Sequence, residues 1–276
     1  MPARPERPAG RERAAGPWGD LGIRVLSAAV LVPLALAAIW LGAAPFIALV
    51  GLGAVGLGAE WVALCHETWR RPAGWLVIVS LGLAVAVAGG VSAASGLVIA
   101  GASAALALVR RRPRLGGGIL YIALATIALV WLRADPEAGR GNILFLMLTV
   151  WASDVGAYLA GRLIGGAKLA PLISPGKTWS GAAGGLLAAI AVGAGAARLG
   201  GGGTLHAGLV AALLGIIAQG GDLFESFLKR RFGVKDSGHL IPGHGGLLDR
   251  LDGVLTAAPM AAALALILGR GVLLWT

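Results

Sequence analysis

Cysteine occurs once in this 276-residue chain, at Cys65, so neither an internal disulfide nor a cysteine-based metal centre can form. In an apolar stretch the lone thiol reads as a small buried residue. Charge is almost as scarce. Only 13% of the residues are charged, about half the share of an ordinary soluble domain, which excludes a soluble globular protein. Acids are the rarer sign, 13 Asp and Glu against 23 Lys and Arg. In a soluble chain that imbalance would point to nucleic acid. In an apolar one it belongs to cytosolic loops and anionic headgroups, so no nucleic-acid partner is expected. No complete phosphate loop is present either. Gly176-Lys177-Thr178 supplies its end, but Pro171 stands where its first glycine would fall, and no strand is expected before it.

What the chain has in plenty is apolar length. Hydrophobic residues make up 57%, glycine contributes 46 residues, and the mean hydropathy is +0.83. The expected fold is therefore all-α and polytopic, in a membrane. Residues 1–20, rich in Pro and Arg, are expected to form a disordered basic arm. The first apolar run, 23–41, reads as an uncleaved signal anchor because it continues past the small residues that could mimic a cleavage site. Further spans are expected at 43–65, 74–90, 91–109, 117–133, 142–164, 179–199, 205–227 and 253–275, about nine in all. The third and fourth run together, as a tight hairpin or as one long helix with a re-entrant piece. Residues 21–133 then form an N-terminal helical region and 142–276 a C-terminal one that carries the chemistry. Gly181 and Gly185 stand in the small-xxx-small spacing that lets helices approach closely in lipid.

Orientation follows from where the cations fall. With nine spans and the N-terminus in the cytosol, all of the 23 basic residues except Arg133, Arg140, Arg198 and Arg270 lie on the cytosolic side. The polar centre of the chain then faces the cytosol too.

Three polar constellations share that side. Ser153-Asp154 lies inside the sixth span, where a carboxylate is costly unless paired or bound to a cation. Asp154, Ala157, Tyr158, Gly161 and Arg162 fall on one helical stripe. The second is Ser174-Pro175-Gly176-Lys177-Thr178, a loop with a turn at Pro175-Gly176, placing Lys177 and Thr178 at a helix N-terminus suited to an anion or to simple capping. The third opens at Gln219-Gly220-Gly221-Asp222, and Asp222 shares a face with Glu225, Ser226 and Lys229. It continues through Arg230, Lys235, Asp236, His239, His244, Gly245 and Gly246 to Asp249, Arg250 and Asp252. Asp222, Asp249 and Asp252 are candidate oxygen ligands for magnesium. The competing reading has these acids and arginines neutralising one another at the interface.

The fixed spacing of that third segment carries a resemblance. Ser226-x-Leu228-Lys229-Arg230-x4-Lys235-Asp236-x-Gly238-x2-Ile241-Pro242-x-His244-Gly245-Gly246-Leu247-x-Asp249-Arg250-Leu251-Asp252 resembles the hallmark of the phosphatidate cytidylyltransferases, the CDP-diacylglycerol synthases. The likeness extends to Ser153-Asp154, to Ser174–Trp179 and to Gly221-Asp222, roughly the C-terminal half. In the first half it amounts to hydropathy and a Glu60-Trp61 pair. Ser180 departs from the acidic or amide residue of many relatives.

The resemblance implies transfer of a cytidylyl group from CTP to phosphatidic acid, giving CDP-diacylglycerol and pyrophosphate, with Mg2+ and a second, monovalent cation. It implies metal ligation by Asp222, Asp249 and Asp252, and catalytic roles for Asp249, Lys229, Arg250 and His244. Substrate contacts would come from Lys177, Ser174, Thr178, Arg230, Lys235, Gly245 and Gly246. A homodimer in a bacterial inner membrane is implied as well. Other readings of the residues are a transporter, against which stand the lack of an evident repeat and the gathering of polar groups at the cytosolic end rather than at the midplane, a scaffold, and a CTP-using enzyme acting on another lipid.

Overall fold

The computed structural model describes residues 17–238, 240 and 245–276, with side chains from residue 29 onward. Among the described residues it contains nine α-helices and one β-hairpin. The helices are α1 (Pro17–Leu41), α2 (Ala43–Leu64), α3 (Pro72–Gly90), α4 (Ala93–Val109), α5 (Pro113–Arg133), α6 (Gly139–Leu163), α7 (Trp179–Gly200), α8 (Thr204–Arg231) and α9 (Leu248–Leu268). Seven of them, α2, α3 and α5 to α9, are long and apolar enough to cross a membrane. This is the architecture of a multi-pass helical membrane protein. The helix α4, at 17 residues, falls short of that length. The ambiguous stretch 74–109 is a tight hairpin: α3 ends at Gly90, and Ser92 caps α4 by accepting the Ser95 N–H at 3.1 Å.

Two groups of helices build two apolar cores. In the first, α2, α3, α4 and α5 pack on one another around Leu57, Leu81, Ile119 and Ile122. In the second, α6, α8 and α9 close around Phe145, Leu146, Leu214 and Ala258, with α7 packed outside on α6 and α8. The contact of α5 with α9 joins the two. Leu248 and Leu255 of α9 belong to the first core, while Val254 and Ala257 belong to the second. One helix thus lines both.

Small residues bring α6 and α7 together as their spacing suggests. A β-carbon on Gly185 would stand 2.7 Å from the Ser153 carbonyl oxygen, and one on Gly181 2.9 Å from that of Ala157. The backbones therefore meet at a separation no side chain would permit.

Several boundaries differ from those the sequence suggests. Helix α1 starts at Pro17, so the last four residues of the expected arm are helical. The stretch 174–178 is strand, not loop. Strands β1 (Lys168–Ala170) and β2 (Ser174–Thr178) pair antiparallel, and the turn falls at 171–173 rather than at Pro175-Gly176. Pro175 holds Ser174 extended, and an edge strand tolerates its missing N–H. Helix α9 begins at Leu248 and stops at Leu268, five and seven residues before the expected ends. Its early stop has a visible cause. Gly269 and Gly271 take positive φ, and the last residues fold back onto α6. Asn142 clamps them, accepting the Leu274 N–H at 2.8 Å and donating to the Val272 carbonyl at 3.1 Å. Asp135 accepts the Gly271 N–H at 2.8 Å and stands 3.6 Å from Arg270.

Candidate active site

The three separated constellations converge on one cavity of about 740 Å³. Helix α6 contributes the whole predicted stripe, Asp154, Ala157, Tyr158, Gly161 and Arg162. The hairpin and α7 contribute Lys177, Thr178 and Gly181, α8 contributes Gln219 and Asp222, and the start of α9 contributes Asp249, Arg250 and Asp252. Four carboxylates face three cations in this lining.

Each wall has a local cause. Thr178 is the N-cap of α7 and its hydroxyl accepts the Gly181 N–H at 3.1 Å, which turns the chain from β2 into the helix. Lys177, one residue earlier, pairs with Asp222 at 2.6 Å and so ties the hairpin to α8. Ser180 bonds to the Gly165 carbonyl, closing the base of the hairpin. On α6, Arg162 donates to the Tyr158 hydroxyl at 2.7 Å. Behind the wall, Gln219 of α8 donates to the buried Ser153 hydroxyl at 3.1 Å. Gln219 thus joins the third polar constellation, which it opens three residues before Asp222, to α6.

The acidic stripe on α8 meets α9 through Lys229, which lies 2.6 Å from Asp249 Oδ1 and 3.2 Å from the buried Glu225. The other oxygen of Asp249 accepts the Ser237 N–H at 3.1 Å, the Ser237 hydroxyl at 2.9 Å and the Gly246 N–H at 3.0 Å. This carboxylate thus organises the segment between α8 and α9. Asp252, one turn on, accepts the Gly253 N–H at 2.7 Å and lies within electrostatic reach of Asp222, Glu225 and Asp154. Asp154 in turn feels Asp222 and Lys177. Among the described residues, no three His, Cys, Asp or Glu side chains stand grouped as a finished metal cage. Asp154, Asp222 and Asp252 nevertheless give one cavity an oxygen-only, mutually repelling set that suits a hard divalent cation.

Other predicted residues take different places. Arg230 is exposed on the last turn of α8 and donates to the Ile173 carbonyl at 3.3 Å, bracing the hairpin turn. Lys235 is exposed outside the cavity. Ser174, Gly245 and Gly246 do not line it, although Gly246 reaches it through Asp249. His244 and His239 lie outside the described residues. His66 makes a 2.9 Å hydrogen bond with the Phe232 carbonyl oxygen, a structural link between the end of α2 and the end of α8.

Glu60, which the sequence marks only through the Glu60-Trp61 likeness, has a role that spacing does not show. Buried at 3% exposure on α2, it accepts the Leu247 N–H at 2.7 Å and the Leu248 N–H at 2.8 Å. Its second oxygen also lies 3.4 Å from the Ser237 hydroxyl. Leu247, at the N-cap position of α9, provides no side-chain cap of its own. The first half of the chain therefore caps the helix that carries Asp249 and Asp252, and this cap explains why α9 starts early. The approach is so close that a β-carbon on Gly238 would stand 2.9 Å from Glu60, and one on Gly246 2.8 Å. A lone carboxylate near the end of an otherwise uncharged 22-residue span was the available signal.

Comparison with known proteins agrees with this geometry. A model of the cytidylyltransferase family matches residues 22–268. The chain is 39% identical over 259 residues to a phosphatidate cytidylyltransferase of Brucella suis, covering 87% of this chain and 92% of that protein. It is 38% identical over 269 residues to one from Pseudomonas aeruginosa, covering 90% and 98%. One from Rickettsia felis is 30% identical over 260 residues, covering 91% and 95%. A likeness that runs through both helical groups, and not only through the polar segment, makes this chain a member of the cytidylyltransferase family.

Proposed function

We propose that this protein transfers a cytidylyl group from CTP to phosphatidic acid in the cytosolic leaflet of a bacterial inner membrane. The observation that carries the reading is the cavity in which Asp154, Lys177, Asp222, Asp249, Arg250 and Asp252 meet, in a chain whose relatives bear that name. In the reaction a phosphate oxygen of the lipid attacks the α-phosphorus of CTP. The bond from that phosphorus to the bridging oxygen breaks, and pyrophosphate leaves. The attacking oxygen is already anionic near neutral pH, so no strong base is needed. The work is to bring two polyanions together and stabilise their charge.

The chain's own residues divide that work. Lys177, at the mouth of α7, and Arg250, on the first turn of α9, face the cavity and would hold phosphates. Lys229 fixes Asp249 from behind. His244, Ser174, Arg230, Lys235 and the Gly245-Gly246 backbone are assigned to substrate contacts through the family likeness. Asp222, Asp249 and Asp252, with Asp154 beside them, would hold magnesium, and the family likeness implies a second, monovalent cation nearby. A magnesium ion held there would neutralise phosphate charge. The Lys177 to Asp222 ion pair then reads as a resting state in which a cation and a carboxylate satisfy each other until substrate separates them. The family likeness also supports a homodimer.

The test is pyrophosphate release by the detergent-purified protein given CTP, magnesium and phosphatidic acid, with Asp249→Ala and a lipid-free reaction beside it. Release that needs the lipid and disappears in the variant supports the reading. No release from folded protein with any phospholipid acceptor refutes it.

A further inference from the structure

A second groove, of about 730 Å³, opens between α3, α4 and α5, in the first helical group, and shares no lining residue with the site above. Its length is apolar, with Leu76, Val79 and Leu83 on α3 facing Ile99 and Leu106 on α4. One end is not. Arg71 immediately precedes α3, Arg110 immediately follows α4 and Arg112 immediately precedes α5. Two connections thus deliver three arginines to the same end, one before α3 and two from the turn between α4 and α5.

Nearby acid does not cancel these charges. Glu67 pairs with Arg112 and lies 4.0 Å from Arg71, one carboxylate against three guanidinium groups. Arg110 has no acidic partner among the described residues. Helices α3 and α5 begin here and α4 ends here, so opposed dipole ends largely offset and the arginines themselves set the charge of this end. In the turn that joins α4 to α5, Arg111 adopts a left-handed φ of 57°. That side chain lines a neighbouring pocket with Glu67 and Arg112 rather than the groove itself. Trp75, 49% exposed, stands at the mouth with its ring edge-on to Trp69 at 6.3 Å, and Arg70 lies over Trp69 at 5.5 Å. Aromatic rings and arginines grouped in this way mark the headgroup level of a bilayer.

The apolar part has the matching depth. From Arg71 to Leu83 the chain climbs about 18 Å at the rise of an α-helix, close to one leaflet of a hydrocarbon core about 30 Å thick. A free phosphate would use only the arginines and leave that length without a partner. We propose that the groove binds an anionic glycerophospholipid, with its phosphate against Arg71, Arg110 and Arg112 and one acyl chain along Val79, Leu83 and Ile99. It is a lipid site separate from the cavity of the transfer reaction and does not depend on that reading.

The test is native mass spectrometry of the full-length protein with phosphatidylglycerol or phosphatidylethanolamine of matched acyl chains. The expected result is one phosphatidylglycerol retained about 25-fold more tightly than the zwitterionic lipid, at roughly fivefold for each of the two arginines left once Glu67 neutralises the third. The Arg71→Gln/Arg110→Gln double variant loses most of that preference and leaves phosphatidylethanolamine unchanged. Ser103→Trp, which fills the groove from α4 with every arginine in place, abolishes retention. Lys177→Gln, in the other cavity, retains the lipid as the parent does. Equal binding of the two lipids overturns the proposal, and so does undiminished binding by the double variant. Loss in Lys177→Gln instead, or full competition by the deacylated headgroup, overturns it as well.

Discussion

Removing the Glu60 carboxylate tests whether the first half of the chain sets the geometry of the site in the second. Glu60 accepts two backbone N–H groups at the start of α9, at 2.7 and 2.8 Å, from a buried position. In Glu60→Ala both lose their acceptor where water is excluded, at about 1–3 kcal/mol each, or roughly 2–6 kcal/mol together. Glu60→Gln keeps one oxygen and turns an amide N–H toward the other donor, so about half that loss is expected. The consequence for chemistry is larger than for folding. Asp249 and Asp252 sit on the turn that Glu60 anchors, and a misplacement of about 1 Å at a reacting centre costs on the order of 100-fold in rate. Glu60→Ala should lower kcat for pyrophosphate release by about 10- to 100-fold and lower the melting temperature. Glu60→Gln should fall between it and the parent in both. The KM for CTP should move less than kcat, because Lys177 reaches the cavity from β2, which Glu60 does not touch. A Glu60→Ala protein with the parent's kcat would refute the anchoring argument, however far its melting temperature had fallen.

Three further outcomes follow from other contacts. Lys177→Met removes the cation facing Asp222 and a candidate phosphate contact, so steady-state kinetics should show KM for CTP raised about 10- to 100-fold, the worth of one charge-assisted hydrogen bond. Burial disfavours the charged form of Asp135, but the N–H groups of Ala138, Gly271 and Glu137 together with Arg270 outweigh it and hold its carboxyl below the usual range. Its contribution to stability is therefore complete above an ordinary carboxylate pKa of about 3.9 and fades as pH falls through the depressed folded value. Acid unfolding curves of Asp135→Asn and the parent should converge at low pH, and parallel curves would contradict this. Burial pushes the Cys65 thiol up to about 11, with Arg114 pulling weakly the other way. Maleimide at pH 8 should leave the folded protein unlabelled and label it fully in denaturant.

Where sequence and structure agree, the agreement rests on periodicity. The stripe Asp154, Ala157, Tyr158, Gly161 and Arg162 lines the cavity as helical spacing requires, and Gly181 and Gly185 mark the seam of α6 and α7. The convergence of Asp222, Asp249 and Asp252 was legible because each lies near the same end of a predicted span. What remained hidden depended on partners distant in the chain. The start of α9 is fixed by Glu60, 187 residues before Leu247. Its end is fixed by Asn142 and Asp135. The hairpin escaped notice because strands of three and five residues carry too little alternation to read.

The seating of α9 in both apolar cores has a consequence for recombination between relatives. A chimera joined between α5 and α6 would inherit its cavity acids from one parent and the partner surface of α9 from the other. Leu248 and Leu255 would meet a foreign α5, and Leu247 a foreign Glu60. Halves exchanged at that junction should interoperate only when the α5 face and the α2 carboxylate travel as a matched set, so the two halves of this enzyme are expected to coevolve although their polar chemistry lies almost wholly in one.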